Sequence, residues 1–291
     1  MGIRAHGAAF EKTYLSEARL IVNADDFGLS EAVNRGIVAA HRDGIVTSAS
    51  VMACGPAFEH AVALAKRHPA LDLGVHLTLT QLAPVMAPAA VPSLVDAAGR
   101  FPAHAFDLAR RYLRGQLTLA DVRAELDAQI RKVLGAGLTI SHLDGHQHVH
   151  VLPGIAHVVA DLAAAHGIGA VRHPAEPLRG YMLGRWRRLA EQMMLSSVCA
   201  VSPLKILKRT DGFAGFHFGG RLTEKNLETV LRGLPRSGTI ELMCHPGEAE
   251  PEGPHREWGY AGPAEREALT SARIKELIAA RGTELVSYRD L

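Results

Sequence analysis

The stretch Ile21-Val22-Asn23-Ala24-Asp25-Asp26-Phe27-Gly28 decides how this chain is read. Preceded by Arg19 and Leu20, its apolar start reads as a buried strand that ends in two adjacent carboxylates and a glycine. At the carboxyl end of a parallel strand, side chains face the mouth in which α/β folds bind their ligands. Two carboxylates side by side there oppose each other's ionisation, so one calls for a cation and the other can work as a base. The competing reading makes Asp26 the cap of a following helix and Asp25 a solvated side chain. Histidines farther along the chain weigh against it.

Working outward, Ser30 is a cap for a helix over 31–42, and Asp43-Gly44 ends it. The β-branched run 45–52 reads as a strand, 56–67 as a helix, and 73–79 as a third strand that carries His76. This β-α-β-α-β order predicts parallel strands with helices packed outside. Four prolines interrupt residues 82–105, a loop long enough to be a lid or substrate wall, with a tolerated insertion as the equal alternative. Helices follow over 107–115 and 118–134, the second with Val122, Leu126, Ile130 and Val133 as its core stripe.

The densest chemistry lies in Ser141-His142-Leu143-Asp144-Gly145-His146-Gln147-His148-Val149-His150. As a regular strand it would place His146, His148 and His150 on one face. A helix over 153–166 and a short strand over 169–172, ending in Arg172, come next. Residues 178–210 are basic, with seven arginines and lysines against the single acid Glu191, and carry Trp186, Leu189, Met193, Met194 and Leu195. Such an apolar face is expected to pack on the core or on a second subunit, in a homodimer. The alternative is peripheral contact with an anionic membrane or a lipid-linked substrate. A helix over 222–232, a strand over 239–247 delivering His245, a polar loop over 248–262, one helix over 263–281 and a strand over 284–288 complete the chain. About seven or eight β/α units make one barrel-like α/β domain over 18–291, behind an N-terminal arm at 1–17.

Composition narrows the classes. A net charge of +2 gives no argument for nucleic acid. Cys54, Cys199 and Cys244 stand at unrelated spacings and form neither a disulfide framework nor a thiolate zinc site, so a reducing cytoplasm is the simplest setting. No apolar run is long enough to span a membrane. The 16 histidines point instead to metal or proton chemistry.

Asp26, His76 and His146 each fall near the end of a different strand, and in a parallel barrel those ends converge. Two imidazoles and a carboxylate make a facial set that leaves other positions on a divalent ion open, as catalysis requires. Asp25, beside that set, can take a proton from water, and His245 can protonate a leaving group. Together these describe hydrolysis of an amide or ester without a covalent intermediate. His76 as a plain core histidine, and His148 and His150 as ligands beside His146, remain open. Cys244 as a nucleophile paired with His245 is set aside, because neighbours on a strand point to opposite faces.

The segments Asn23-Ala24-Asp25-Asp26-Phe27-Gly28, Gly74-Val75-His76, His142 to His150 and Met243-Cys244-His245-Pro246 resemble the motifs of the YdjC-like carbohydrate deacetylases. That family includes chitooligosaccharide deacetylases and hopanoid-associated deacetylases, and the likeness runs from about Leu20 to the final Tyr288-Arg289-Asp290. The resemblance implies a distorted (β/α) barrel related to polysaccharide deacetylases, and removal of acetate from an N-acetylated sugar, free or lipid-linked. It implies Asp26, His76 and His146 as ligands of one divalent ion, Mg2+ or Zn2+, with Asp25 as base and His245 as acid. Arg172 resembles an arginine that steadies the base, while Asp144, His148 and His150 lie in the matched motif as substrate or supporting groups. A sugar- or metal-binding module without turnover, and a metallohydrolase of phosphoesters, are the rival classes.

Overall fold

Leu20, Ile21, Val22 and Ala24 are buried, and the strand that they begin runs through both aspartates as β1 (Arg19–Phe27). The computed structural model describes residues 18–183 and 185–291, and the expected arm at 1–17 lies outside them. After β1 comes α1 (Glu31–Arg42), whose first turn is closed by Ser30 Oγ accepting from the Val33 N–H at 3.1 Å. Next are β2 (Ser48–Val51), α2 (Phe58–Arg67) and β3 (Asp72–Leu77). The segment 82–105 is irregular apart from a single short turn of helix and leads into α3 (Ala105–Leu113). The N-terminus of α4 (Leu119–Gly135) is capped by Thr118, and the stripe Val122, Leu126, Ile130 and Val133 is buried.

The second half alternates less regularly. It contains β4 (His142–Gly145), α5 (Ile155–His166), β5 (Ala170–Val171), α6 (Trp186–Ala200), β6 (Gly212–Ala214), α7 (Glu224–Gly233) and β7 (Thr239–Cys244). The polar loop after β7 holds a short α8 (Pro254–Glu257). The single helix expected over 263–281 is two, α9 (Gly262–Thr270) and α10 (Ala272–Ala280), because the backbone is extended at Ser271. That break lets α9 lie on α1 while α10 turns onto α7. A final β8 (Glu284–Val286) closes the order.

All strand pairings are parallel, in the sheet order β5-β4-β3-β2-β1-β7-β6, with β8 added on β1. β8 meets Arg19–Ile21 and β2 meets Asn23–Phe27, so the two share one edge of β1. The ends of the sheet approach through an isolated bridge between Ala170 and Lys208, just before β6. The result is the expected α/β fold, a curled parallel sheet forming an incomplete (β/α) barrel. Its C-terminal strand ends converge on one mouth, as the fold class requires.

Candidate active site

Adjacent residues of a regular strand point to opposite faces, so Asp25 and Asp26 could not both serve one site from an ideal β1. A bulge solves this. Ala24 pairs with Ala49 and Phe27 with Val51, which leaves Asp25 and Asp26 together opposite Ser50 alone. Asp26 takes a left-handed φ of 69°, costly for a residue with a side chain and tolerated where surrounding contacts over-determine it. Both carboxylates are thereby buried in the mouth.

Around Asp26, Oδ1 lies 3.1 Å from His146 Nδ1 and 3.5 Å from His76 Nε2. The candidate ligand atoms of Asp26, His76 and His146 all fall within 4.8 Å of one another. Asp26 Oδ1 is buried and makes no hydrogen bond, an orphaned oxygen flanked by two imidazole nitrogens. That geometry and donor set fit a divalent cation. Burial works against the charge on Asp26, but His146, with His255 and His245, holds its carboxyl well below the usual range.

His76 is set by Asp144, whose Oδ1 lies 2.9 Å from Nδ1, leaving Nε2 for the mouth. This is the carboxylate–imidazole arrangement that orients metal-ligating histidines. Burial disfavours the His76 cation, yet Asp144, Asp25 and Asp26 outweigh it and raise the imidazole to about 9. Asp144 in turn accepts from Ser50 Oγ at 2.8 Å and pairs with Arg172 Nη1 at 2.9 Å.

Arg172, fully buried after β5, is the hub of the carboxylates. It holds Asp25 with both terminal nitrogens, at 2.6 and 2.7 Å, and its Nε donates to Glu241 at 2.7 Å. Glu241 also accepts from the Tyr288 hydroxyl, so the C-terminal segment anchors the same network. Burial pushes the Glu241 carboxyl up to about 7, against the pull of Arg172 and Tyr288.

β1 pairs with β7 up to Ala24 and Cys244, which brings His245 alongside Asp25. Its Nε2 lies 4.0 Å from Asp25 Oδ2, and its N–H donates to the buried Glu265 at 2.6 Å. Burial pushes the imidazole down to about 4, with Asp25 and Asp26 opposing. The segment is pinned from behind by α1, where a Cβ on Gly36 would meet the Gly247 backbone at 2.4 Å. Cys244 Sγ points away to the Asn23 carbonyl, and burial raises its thiol well above the ordinary value.

His146, His148 and His150 do not share a face. β4 stops at Gly145, and the following turn places Gln147 and His148 at left-handed φ values of 50° and 56°. His146 enters the mouth, and its other nitrogen lies 2.6 Å from Gln81 Oε1. His148 packs against Phe213 and Phe216, and His150 Nε2 lies 3.1 Å from the Arg172 carbonyl. Burial lowers both imidazoles, that of His150 to about 4. Neither belongs to a cluster that could hold an ion among the described residues.

Sequence reading did not single out His255, Trp258, Glu241 or Gln81. His255 sits in α8 with Nε2 3.2 Å from Asp26 Oδ2, and Trp258 lies 5.0 Å from the His146 ring. A polar loop with prolines gave no sign of either. Glu241, in contrast, interrupts the apolar run of β7, and a lone charge there was a legible signal. Segment 82–105, with α3, walls a cleft of about 590 Å³ that Gln81 and Trp258 join to the mouth.

A family model described as YdjC-like protein matches residues 19–280. A carbohydrate deacetylase of Brevibacillus brevis is 35% identical over 281 residues, covering 94% of this chain and 99% of that one. A chitooligosaccharide deacetylase of Serratia marcescens is 33% identical, covering 94% and 100%. Among solved structures, a putative cellobiose-phosphate cleavage protein of Enterococcus faecalis superposes with a TM-score of 0.76 at 28% identity, covering 94% of this chain and 99% of that one.

Proposed function

The chain belongs to the YdjC-like family, and from that premise we propose that it is a hydrolase removing acetyl groups from N-acetylated amino sugars. The observation that carries the reading is the meeting of Asp26, His76 and His146 at one buried point, with Asp25 clamped beside them. These three residues would hold one divalent cation, Mg2+ or Zn2+, the two imidazoles favouring zinc chemically. The chemistry such an ion supplies is polarisation of the acetyl carbonyl and a lowered pKa for water at the site.

The protein's own groups do the rest. Asp25 accepts the proton of the attacking water, and Arg172 fixes the orientation of its carboxylate. His245 is uncharged at rest because burial holds it near about 4. The proton taken by Asp25 has a 4.0 Å gap to cross to His245 Nε2, which passes it to the departing amine. Water adds to the acetyl carbon, the C–N bond breaks, and acetate and the free amino sugar leave. Trp258 and the cleft walled by residues 82–105 receive the sugar, the aromatic face suiting an apolar ring surface.

The test is acetate release from N-acetylated chitooligosaccharides by chelator-treated protein, before and after reloading with Mg2+ or Zn2+. Release restored by one ion supports the reading. Sugar binding without acetate release in every ion would assign a binding module, and release of phosphate from phosphoesters would assign the other hydrolase class.

A further inference from the structure

α6 packs on the protein along a narrow side made of Gln192, Leu195, Val198 and Cys199. Of its fifteen residues only Gln192 and Cys199 are buried, and Gln192 reaches inward to donate to the Glu176 carbonyl at 2.8 Å. Trp186, Ala190, Met193 and Ser197 recur at helical spacing on the opposite, outward face, joined by Met194 and Val201. Trp186 is 71% exposed, Met194 62%, Met193 53% and Val201 82%. Leu178 and Leu183 before the helix and Ile206 after it are exposed as well, so that seven of the ten exposed large apolar side chains among the described residues fall in this one segment. An apolar patch so concentrated marks an interaction surface.

Charge identifies the partner. Residues 178–210 hold seven arginines and lysines and one acid, whereas the whole chain is only +2, so the remainder is net acidic. The one acid, Glu191, is already paired with Arg187 at 3.0 Å and Arg188 at 3.5 Å. A second copy of this face would bring like charges together around the apolar patch, which is unfavourable. An anionic surface that also accepts apolar side chains satisfies both features, and a bilayer with acidic headgroups is such a surface. No helix of the described residues is long and apolar enough to cross a membrane, so the contact lies on the surface.

We propose that α6 and its flanking residues dock on an anionic lipid membrane, Trp186, Met193 and Met194 entering the headgroup boundary and the surrounding bases meeting the acidic headgroups. Behind the docked face, the start of the helix is tied to the protein. Arg188 lies over Phe216 at 5.5 Å, Phe216 packs on His148, and Arg185 donates to the His217 carbonyl. The proposal does not depend on the deacetylase reading, because its test involves no turnover.

The full chain is sedimented with vesicles of phosphatidylcholine alone or mixed with phosphatidylglycerol, at low and high salt. Binding to the acidic vesicles is expected to exceed that to the neutral ones by roughly tenfold or more at low salt, and to weaken as salt rises. Replacing Trp186, Met193 and Met194 together by Ser should cut binding by at least roughly tenfold, and Arg187→Glu by about fivefold or more. These positions are on the surface, and thermal melting followed by circular dichroism checks that each variant stays folded. Equal binding to both vesicles, no binding to either, or a triple variant that binds like the parent overturns the proposal. A parent that is dimeric by light scattering, binds no vesicles and becomes monomeric in the triple variant assigns the face to a second copy, and overturns it equally.

Discussion

Arg172→Met removes the guanidinium from the centre of the site while keeping much of its volume. Arg172 is fully buried and makes four close contacts to carboxylates, two with Asp25 and one each with Asp144 and Glu241. A hydrogen bond to a charged group contributes about 1.5–3 kcal/mol net, so a simple sum would be large. Stranded acids recover part of that loss by taking up protons, and measured losses on breaking a buried pair are about 3–5 kcal/mol. The variant should therefore lose about 3–5 kcal/mol in the ion-free protein near neutral pH.

The pH dependence carries a definite sign. In the parent, Arg172 and His76 overcome burial and hold Asp144 far below its ordinary range. A folded pKa below the unfolded one contributes stability above the unfolded value, lost as pH falls through the folded one. Without Arg172, only the neighbouring histidines oppose burial at Asp144, whose carboxyl rises, and Glu241 is driven above its present value of about 7. The folded variant then binds more protons than the parent, so its deficit grows with pH. Urea unfolding with chelator present, followed by circular dichroism, should show the full deficit at about pH 8 and a smaller one at about pH 5.5. A deficit under about 1 kcal/mol, or one equal at both pH values, would refute the assignment of Arg172 as the holder of these acids. Arg172→Lys adds a control: a point charge restores part of the stability but not the two-pronged grip on Asp25, so turnover should stay low.

Asp25→Asn should lower kcat by roughly 10²–10⁴ while calorimetry still detects ion binding; Asp26→Asn should abolish ion binding, and an intact affinity there would show that the two roles are exchanged. Because the ion-free His76 carries a proton up to about 9, ion binding near neutral pH should release a proton and tighten as pH rises, read by calorimetry in buffers of different ionisation enthalpy. Buried Glu125 accepts the N–H groups of Val85 and Met86 at 2.8 and 3.0 Å, so Glu125→Ala strands two donors at about 1–3 kcal/mol each. Hydrogen exchange should rise in segment 82–105, with KM increasing more than kcat falls. Gly36→Ala must displace Gly247, two residues from His245, and should cost about 1–3 kcal/mol and lower kcat; an unchanged melting temperature and rate would show that this packing does not set His245.

The β-α alternation was legible because buried parallel strands are nearly continuous apolar runs and a helix can announce its cap, as at Ser30. Asp26, His76 and His146 were legible for a related reason: each stands at or just beyond the end of a strand, where the fold points side chains into the mouth. The bulge at Asp25 and Asp26 was not. Nothing local distinguishes a regular strand end from one where two residues face a single partner, and only the pairing with Ser50 reveals it. The same limit explains the three histidines after Gly145, where a change of φ at Gln147 and His148 undid an alternation that residue types alone supported. His255 was hidden for another reason. It reaches Asp26 from 229 residues away, through a loop whose path is set by tertiary contacts.

The charge balance of the buried site argues for a cation without reference to any relative. Asp25, Asp26, Asp144 and Glu241 are buried around one guanidinium, so even with Glu241 protonated the carboxylates outnumber Arg172. Uncompensated buried charge is too costly to keep, and such groups normally neutralise by taking a proton or bind a counter-ion. The proton on His76 is that compensation in the ion-free protein, but it occupies a nitrogen 3.5 Å from Asp26, at the centre of the candidate ligand set. A fold needing only a stable core would replace such a cluster with hydrocarbon at no loss. With Arg172 committed to Asp25 and Asp144 to His76, Asp26 is left facing imidazoles alone, His146 and His255 among them. Asp26 is therefore where a divalent cation has most to offer.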